Sequence, residues 1–281
     1  MSRDARALLR ARNLHPKKSF GQNFLVNAGV VEAIAEACVP GVERGSARLV
    51  EIGAGTGALT AALLDRASEV VAVERDRDLL PVLESEFAEE LRDGRLRLIE
   101  ADAQNVDFHS LLGAFPGDSP RVLAGNLPYQ ITGRLLSLAV QLAPLLSRAV
   151  FMVQDEVATR LAASPGSKDY GALTVFVQAS FLVRKIRTVS PGSFHPPPEV
   201  TSAVVVLTPD RPPRALEDDV FRSVVKQAFA MRRKTLRNSW SSLGPERVAA
   251  AARTAGVSLD ARGETLSVEQ FAGMAEALRA L

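Results

Sequence analysis

The chain has 281 residues, of which 47% are hydrophobic and 23% charged, a balance typical of globular proteins rather than disordered ones. No apolar run approaches the roughly 18 residues that cross a membrane. Charged residues limit the apolar runs in 1–12 to three residues, so we expect no signal peptide and a cytoplasmic protein. A single cysteine, Cys38, excludes an internal disulfide and a thiolate metal cluster, and we expect no metal site.

The first 18 residues form a basic arm. They carry six Lys or Arg, among them Arg3, Lys17 and Lys18, and one acidic residue, Asp4. A second basic cluster, "MRRKTLR", lies at 231–237. Clusters of this kind suit phosphate backbones, although each is also compatible with an ordinary solvated face.

Strands and amphipathic helices alternate between about residues 47 and 208. Short apolar strands separated by helices predict a mostly parallel sheet covered on both faces. The helices expected between the strands include 78–91 and 131–142. The predicted strands are "ARLVEI" (47–52), "EVVAVE" (69–74), "LRLIEA" (96–101), "RVLAG" (121–125) and "RAVFMVQ" (148–154).

A glycine-rich turn, "VEIGAGTGALT" (50–60), joins the first of these strands to a helix. Gly53 and Gly55 allow a tight turn and a close approach of the backbone to a ligand. The spacing also satisfies the fingerprint of dinucleotide-binding proteins, with Glu74 about 20 residues further on. A glycine turn without any ligand is a third interpretation.

Acidic residues stand at the carboxyl ends of the next two strands. Glu74 is placed to accept both hydroxyls of a ribose, and Asp102 to accept the exocyclic amine of an adenine. Each is alternatively a turn residue or a helix N-cap. Because ligands of open α/β sheets bind at the carboxyl ends of the strands, the combination predicts an adenosine-containing ligand, either NAD or S-adenosylmethionine.

The fourth strand ends in "GNLPY" (125–129), which distinguishes these two cofactors. The side-chain oxygen of Asn126 and the carbonyl of Leu127 can each accept one hydrogen of an exocyclic amine. Pro128 restricts the backbone so that the two acceptors converge, and Tyr129 offers a ring for stacking. A hydride-transfer site has no use for such a group, whereas a planar base as substrate does.

The region ends in two further strands, 181–189 and 200–209, joined by a loop without a helix. So short a connection predicts an antiparallel strand at one edge of the sheet. A proline-rich, charged stretch follows, and then only helical patterns, at 219–230, 232–243, 246–254 and 268–280. We therefore predict a small, all-helical C-terminal domain.

Taken in order, these motifs resemble the ribosomal RNA adenine N6-dimethyltransferases, which have a Rossmann-like sheet and use S-adenosylmethionine. The resemblance covers nearly the whole chain. Two of the matching stretches, at 193–205 and 232–238, favour the bacterial small-subunit (16S) enzymes over the related large-subunit enzymes. The matching stretches are "KKSFGQNFL" (17–25), "VEIGAGTGALT", "VERD" (73–76), "EADA" (100–103), "GNLPY", "SFHPPPEVTSAVV" (193–205) and "RRKTLRN" (232–238).

The resemblance implies a set of cofactor-binding residues at matching positions. Those expected over the methionine or ribose end of S-adenosylmethionine are Gln22, Asn23 and Leu25. Those expected along the remainder of the cofactor are Gly53, Gly55, Glu74, Asp102, Ala103 and Asn126.

It also implies a pocket for the target adenine, formed by Asn126, Leu127, Pro128 and Tyr129, with Phe194 stacking on the other side of the base. Phe194 is alternatively a packing residue at a domain boundary. Two positions depart from the family pattern: Gln130 replaces a common Asn, and Thr201 replaces a common Asp.

The implied activity is dimethylation of N6 in two adjacent adenosines near the 3′ end of 16S rRNA, with a role in small-subunit biogenesis. The implied partner is 16S rRNA in the small subunit or its precursor, and we expect a monomer without membrane association. The corresponding division is an arm and cofactor-covering segment (1–24), a methyltransferase domain (25–208) and an RNA-binding helical domain (209–281). A nicotinamide-dependent oxidoreductase and a non-catalytic RNA-binding assembly factor remain as alternatives.

Overall fold

The computed structural model describes residues 5–231 and 233–281, so the predicted RNA-contacting cations Arg3 and Arg232 lie outside the described residues. The chain forms two compact units. The first comprises the chain up to Ala158 together with Arg184–Thr208, and the second comprises Thr159–Val183 and Pro209–Leu281. The functional division at 24/25 and 208/209 stays a prediction, and the compact units differ from it by assigning Thr159–Val183 to the second unit.

Seven strands form one mostly parallel sheet, which confirms the predicted α/β class. Its order is β4-β3-β2-β5-β6-β9-β7, and β1 and β8 pair separately. The strands in the described residues are β1 (Phe24–Leu25), β2 (Arg48–Ile52), β3 (Glu69–Glu74), β4 (Leu96–Glu100), β5 (Arg121–Asn126), β6 (Arg148–Gln154), β7 (Phe181–Val189), β8 (Phe194–His195) and β9 (Ser202–Pro209).

The parallel register brings the predicted functional positions to one edge of the sheet. Ile52 at the end of β2 pairs with Val73 on β3 and with Gly125 on β5. Glu74 pairs with Glu100 at the end of β4. The glycine turn and the polar residues after β3, β4 and β5 therefore share one site.

The antiparallel strand of the sheet is β9, and it is not the edge strand. It runs antiparallel to β6, with Gln154 opposite Ser202, and lies between β6 and the edge strand β7. Its residues from Ser202 to Leu207 are all buried, whereas β7 exposes Arg184 and Arg187. The apolar strand takes the inner position, and charged side chains protect the edge against further pairing.

Helices cover the sheet and make up most of the second unit. Residues of α2 and α3 pack with β2, β5 and β6 in the core of the first unit, and α10, α12 and α13 pack together in the core of the second. The helices are α1 (Ala5–Ala11), α2 (Ala28–Cys38), α3 (Ala58–Leu64), α4 (Leu80–Glu86), α5 (Ala88–Arg92), α6 (Phe108–Gly113), α7 (Thr132–Leu142), α8 (Asp155–Leu161), α9 (Ala172–Ser180), α10 (Asp219–Ala230), α11 (Leu236–Ser239), α12 (Pro245–Ala255) and α13 (Val268–Arg279).

Two predicted helices are shorter than their patterns. The helix predicted at 78–91 is divided into α4 and α5 at Phe87, whose φ of −121° is not helical and whose side chain is fully buried. The helix predicted at 232–243 is reduced to α11 and a short 3₁₀ turn, Ser241–Leu243. Within the described residues, no helix combines the length and apolarity needed to cross a membrane.

Candidate active site

A cavity of about 740 Å³, counted with its open mouth, lies at the carboxyl ends of β2 to β5. A cleft with several convergent polar groups at its wall is the usual form of a ligand site. All predicted site residues except Leu25 and Phe194 line it. The lining residues are Phe20, Gly21, Gln22, Asn23, Phe24, Ile52, Gly53, Gly55, Val73, Glu74, Arg75, Ala101, Asp102, Ala103, Asn126, Leu127, Pro128, Tyr129 and Ile131.

The turn between β2 and α3 brings backbone close to the cavity at Gly55. Its φ of +57° is left-handed, and a Cβ built on it would lie 3.1 Å from Cδ1 of Phe24. Any side chain here would be strained and would press on Phe24, which also lines the cavity. The glycine therefore leaves exposed backbone where a ligand needs a close approach.

Glu74 is a buried carboxylate that backbone N–H groups hold in place. Its Oε2 accepts a hydrogen bond from Gly55 N (2.8 Å), and its Oε1 accepts one from Asp76 N (2.8 Å). Burial raises its pKa, while these hydrogen bonds oppose the shift. Each oxygen keeps a second acceptor position, so the arrangement suits the paired hydroxyls of a ribose.

Asp102 is both an N-cap and a cavity residue. Its Oδ1 accepts a hydrogen bond from Gln104 N (3.0 Å) at the start of a 3₁₀ turn, Ala103–Asn105. Its Oδ2 lies 3.3 Å from Nη1 of Arg75. The turn thus fixes the carboxylate beside the cavity, where Ala103 supplies apolar surface suited to a planar base.

The oxygen of the Asn126 side chain is oriented by the amide's other end. Its Nδ2 donates to the carbonyl oxygen of Asn23 (2.9 Å), which leaves Oδ1 as an acceptor. The next peptide is fixed as well, because Leu127 N donates to Met152 O (3.1 Å). Pro128, with φ of −59°, then turns the chain toward Tyr129.

Tyr129 is half-buried, and its hydroxyl lies 2.6 Å from Oγ of Ser202 on β9. Burial raises its pKa, and the hydrogen bond with Ser202 opposes the shift. The phenol is therefore neutral near pH 7. Its ring is suited to stacking, and its hydroxyl is unsuited to act as a base.

Residues 17–24, here called the covering segment, supply five of the lining residues. Lys17 Nζ lies 2.5 Å from Oδ1 of Asp76, and Gln22 Nε2 donates to Oδ2 of the same carboxylate (2.7 Å). The ring of Phe20 is close to two cations, with its centroid 5.4 Å from Nζ of Lys17 and 4.2 Å from Cζ of Arg75. None of Phe20, Arg75 and Asp76 was predicted from the sequence as a site residue.

Leu25 and Phe194 do not line the cavity. They face each other across the short β1–β8 pair, and their side chains are 5% and 1% exposed within the core of the first unit. Burial of two large apolar side chains stabilises this pair. The structure thus places Phe194 at a packing position rather than over the pocket, and its stacking role stays a prediction without geometric support.

The two departures from the family pattern have different surroundings. The side chain of Gln130 contacts Gly21 so closely that a Cβ on that glycine would collide with it, which brings Gln130 against the covering segment. Thr201 accepts a hydrogen bond from Asp155 N (2.9 Å) through its backbone carbonyl, which any residue there can do. Neither side chain lines the cavity.

The donor set fits an adenosine-containing cofactor. Carboxylates at the ends of β3 and β4 line a cavity whose third side is the glycine turn, where a Cβ on Gly55 would press on Phe24. No group of three His, Cys, Asp or Glu within 5–231 and 233–281 could hold a metal ion.

A family model described as ribosomal RNA adenine dimethylase matches residues 13–280 of the chain. Among curated proteins, the chain is 43% identical over 283 residues to the ribosomal RNA small subunit methyltransferase A of Anaeromyxobacter sp. (strain K), covering 97% of each. It is 41% identical over 279 residues to the protein of that name from Geobacter metallireducens, covering 97% of this chain and 99% of that protein.

Two solved structures share the fold. A dimethyladenosine transferase from Plasmodium falciparum matches with a TM-score of 0.72 and 25% identity, covering 89% of this chain and 95% of that one. The 23S rRNA methyltransferase ErmE matches with a TM-score of 0.65 and 28% identity, covering 92% of this chain and 100% of that one. Sequence and fold are therefore similar to the same group of proteins over nearly their full lengths.

Proposed function

Since this chain belongs to the ribosomal RNA adenine dimethylase family, we propose that it dimethylates N6 of two adjacent adenosines near the 3′ end of 16S rRNA. The methyl donor is S-adenosylmethionine. The observation that supports the proposal is the orientation of Asn126, whose Nδ2 donates to Asn23 O and leaves Oδ1 available to accept from a substrate amine. Family membership removes the oxidoreductase alternative.

Asn126 and Leu127 act on the amino group of the target adenine. Its nitrogen is a poor nucleophile because the lone pair is delocalised into the ring. Two acceptors, Asn126 Oδ1 and Leu127 O, hold its hydrogens so that the lone pair turns toward the donor. The ring of Tyr129 holds the base by stacking, a contact worth about 1–3 kcal/mol.

The bound cofactor supplies an electrophilic methyl group on a sulfonium. Transfer of that methyl group to N6 would break its bond to sulfur, leave S-adenosylhomocysteine and give a cationic amine that would lose its proton to solvent. No strong base is needed, because the amine becomes acidic once it carries positive charge. Positioning for this in-line transfer supplies up to about 7–11 kcal/mol of the barrier in favourable cases.

Cofactor binding is assigned to the three strand ends. Glu74 accepts the ribose hydroxyls, and Asp102 accepts the adenine amine beside Ala103. Gly53 and Gly55 take the methionine portion, with Gln22 and Asn23 of the covering segment above it. The support for these roles is that all of these residues line one cavity.

The RNA partner is 16S rRNA in the small subunit or its precursor, and the reaction belongs to subunit assembly in the cytoplasm, with the enzyme acting as a monomer. The target adenine must leave its stack to reach Tyr129, which favours unpaired adenines. Basic side chains of the arm and of 231–237 contact phosphates, so affinity for RNA falls with salt.

The test is methyl transfer from labelled S-adenosylmethionine to undermethylated small subunits, followed by nucleoside analysis. Wild type yields dimethyladenosine, and Asn126→Ala loses it even at saturating cofactor, so that a weaker cofactor affinity of the variant does not account for the loss. Asn105→Ala, an exposed side chain outside the cavity lining, serves as the matched control and keeps activity. Cofactor binding without any methylation of subunits or bare RNA by wild type would refute the substrate assignment. RNA binding that persists in Asn126→Ala would separate an assembly role from catalysis.

A further inference from the structure

The covering segment is attached to the end of β3 by one buried carboxylate, Asp76. Its side chain is 3% exposed. Oδ1 accepts from Lys17 Nζ (2.5 Å) and from Asp78 N (3.1 Å), and Oδ2 accepts from Gln22 Nε2 (2.7 Å). Both ends of the carboxylate are therefore used, and two of its three partners belong to the covering segment.

The two partners on the segment are also bonded to each other. Gln22 Oε1 accepts a hydrogen bond from the backbone N–H of Lys17 (2.7 Å). This closes a loop of hydrogen bonds around Phe20 and Gly21, which both line the cavity. Asp76 thus fixes the conformation of the segment as well as its attachment.

Asp76 does not line the cavity itself. Its backbone N–H donates to Oε1 of Glu74 (2.8 Å), the carboxylate assigned to the ribose. One residue therefore connects the floor of the proposed cofactor site with the segment that covers it. A residue so placed acts on the cofactor only through its neighbours.

We propose that Asp76 is a positioning residue that holds the covering segment closed over the bound cofactor through Lys17 and Gln22. The identity of the cofactor rests on the proposed function, whereas the attachment of the segment does not. Without Asp76, the segment must be ordered at the moment of binding, which weakens affinity and speeds dissociation.

The carboxylate is charged at neutral pH. Burial would raise its pKa, but the hydrogen bonds from Lys17 and Gln22 outweigh burial and hold the pKa below its ordinary value. Lys17 also lies 2.7 Å from Oδ2 of Asp78, whose side chain is 56% exposed. Asp78 contacts Lys17 but not Gln22, and it is therefore a natural control.

The test compares Asp76→Ala and Asp76→Asn with Asp78→Ala. Calorimetry gives the dissociation constants of S-adenosylmethionine and S-adenosylhomocysteine, and steady-state assays give KM and kcat. We expect Asp76→Ala to raise the cofactor dissociation constant and KM by about 10-fold or more, as for loss of hydrogen bonds to a charged group. We expect kcat at saturating cofactor to stay within about 3-fold of wild type, because bound cofactor restores the order of the segment.

Asp76→Asn keeps one oxygen acceptor and loses the charge, so its dissociation constant should lie between those of wild type and Asp76→Ala. Asp78→Ala leaves Gln22 attached, and we expect it to stay within about 2-fold of wild type, as for an exposed ion pair. If Asp76 only stabilised the fold, kcat, KM and the unfolding temperature would all worsen together in Asp76→Ala, and Asp76→Asn would not restore them.

A ligand-free readout is limited proteolysis with trypsin, in which mass spectrometry follows cleavage after Lys18. Asp76→Ala should be cleaved there several-fold faster than wild type, with an unfolding temperature near that of wild type. Equal cleavage and equal dissociation constants in the two proteins would overturn the proposal. If wild type bound no S-adenosylmethionine, the proposed function would fail, and proteolysis alone would still decide whether Asp76 holds the segment.

Discussion

In both Asn126 and Tyr129, the protein uses one polar atom and leaves another part of the side chain for a ligand. The amide of Asn126 is bonded at Nδ2, and the phenol of Tyr129 at its hydroxyl. A bonded polar atom fixes the rotamer and removes the need for a second partner. The remaining surfaces, an amide oxygen and an aromatic face, are suited to the adenine of the proposed function.

This arrangement predicts a graded series at Tyr129. Tyr129→Phe keeps the ring and loses the bond to Ser202 Oγ, so we expect kcat/KM for RNA to fall only by about 2- to 10-fold, as for one neutral hydrogen bond. Tyr129→Ala removes the stacking surface, and we expect a further loss of about 10-fold or more. Methyl transfer at limiting RNA measures both.

Ser202→Ala is the matched variant, since it breaks the same bond from the side of β9. It should resemble Tyr129→Phe, and the double variant should be no worse than either single one. Additive losses in Ser202→Ala and Tyr129→Phe would show that the hydroxyl contacts the substrate instead of orienting the ring.

Glu51 is a buried acid with a role in stability that depends on pH. It lies 1% exposed on β2 and accepts a hydrogen bond from Thr60 Oγ1 (2.6 Å). Burial raises its pKa to about 8, the bond from Thr60 opposes the shift, and the charge of Glu74 adds to it. The carboxyl is therefore mainly neutral at pH 7 in the folded chain.

The sign of its contribution follows from the unfolded state, in which the group ionises near pH 4.5. Between about pH 4.5 and 8, Glu51 is ionised in the unfolded chain but still protonated in the folded chain. The free energy of unfolding therefore falls as pH rises through this range and levels off above about pH 8. Glu51→Gln removes this dependence. We expect it to be more stable than wild type at pH 8 by up to a few kcal/mol, since each pKa unit is worth about 1.4 kcal/mol.

At pH 5 the gain should be under about 1 kcal/mol, because the carboxyl is neutral in the folded chain and pH 5 lies close to the ordinary pKa of 4.5 at which Glu51 ionises in the unfolded chain. Urea unfolding at pH 5 and 8 measures the difference. The exposed Glu84→Gln is the control for replacing an acid by an amide at the surface. A pH-independent difference between Glu51→Gln and wild type would contradict the buried neutral carboxyl.

At the level of elements, the sequence predicted the strands of the sheet and the meeting of Gly55, Glu74, Asp102 and Asn126 at one edge. These follow from local patterns, since apolar runs mark buried strands and parallel strands align their carboxyl ends. The inner position of β9 can be inferred from its apolar sequence only by comparing β9 with the more charged β7. That comparison requires knowledge of which strands are neighbours.

What the sequence did not predict depends on contacts between distant residues. The β1–β8 pair joins Leu25 to Phe194 through two strands of two residues each, too short for any periodic pattern. The bond from Gln22 to Asp76 spans 54 positions. Motif matching found these stretches, but it could not tell that Phe194 packs inward or that Asp76 serves the covering segment.

The start of α3 depends on the space above Gly57, where a second helix packs. The φ of Gly57 is +81°, and a Cβ built on it would lie 2.6 Å from Cε2 of Phe87, the residue that separates α4 from α5. Gly94 has a similar φ of +74° but no atom within 4 Å of such a Cβ. The two glycines share the same backbone strain and differ in packing.

We therefore expect Gly94→Ala to cost about 1–2 kcal/mol of unfolding free energy, as for any L-residue in the left-handed region. Gly57→Ala should cost about 1–3 kcal/mol more, because the buried ring of Phe87 has little room to move. Cofactor affinity should fall in Gly57→Ala alone, since α3 follows the glycine turn. Denaturant unfolding and calorimetry check both, and equal costs at the two sites would contradict a packing effect.

Across the whole molecule, basic residues differ in whether they are already paired. In the arm, Lys17 contacts Asp76 and Asp78, and Arg12 donates to Ser85 Oγ (3.1 Å). Arg237 of the second cluster lies 3.1 Å from Asp260. Carboxylates of the protein partly neutralise Lys17 and Arg237, which lowers their attraction for phosphate, whereas the partner of Arg12 is a neutral hydroxyl.

Lys226, Arg233 and Lys234 of the second unit are different: all three are exposed, and within the described residues none has a carboxylate partner. They lie on α10 and in the turn that follows it. Unpaired, exposed cations release counterions from RNA most fully, because no internal ion pair competes. We therefore expect these three to contribute more to RNA affinity than the paired Arg237.

Replacing Lys226, Arg233 and Lys234 together by Ala should weaken RNA binding and reduce the slope of log K against log salt by roughly 2, since each phosphate of a single strand that the protein neutralises adds about 0.7 to the slope. Arg237→Ala should change the slope by less than about 0.7. Cofactor affinity should stay at the wild-type value in both variants, because none of the four residues lines the cavity.

Filter binding between roughly 50 and 200 mM salt, the range over which such binding is most sensitive, measures the slopes. An unchanged slope in the triple variant would mean that the second unit does not bind phosphate through this cluster, and the RNA-binding cations would then have to be sought in the first unit.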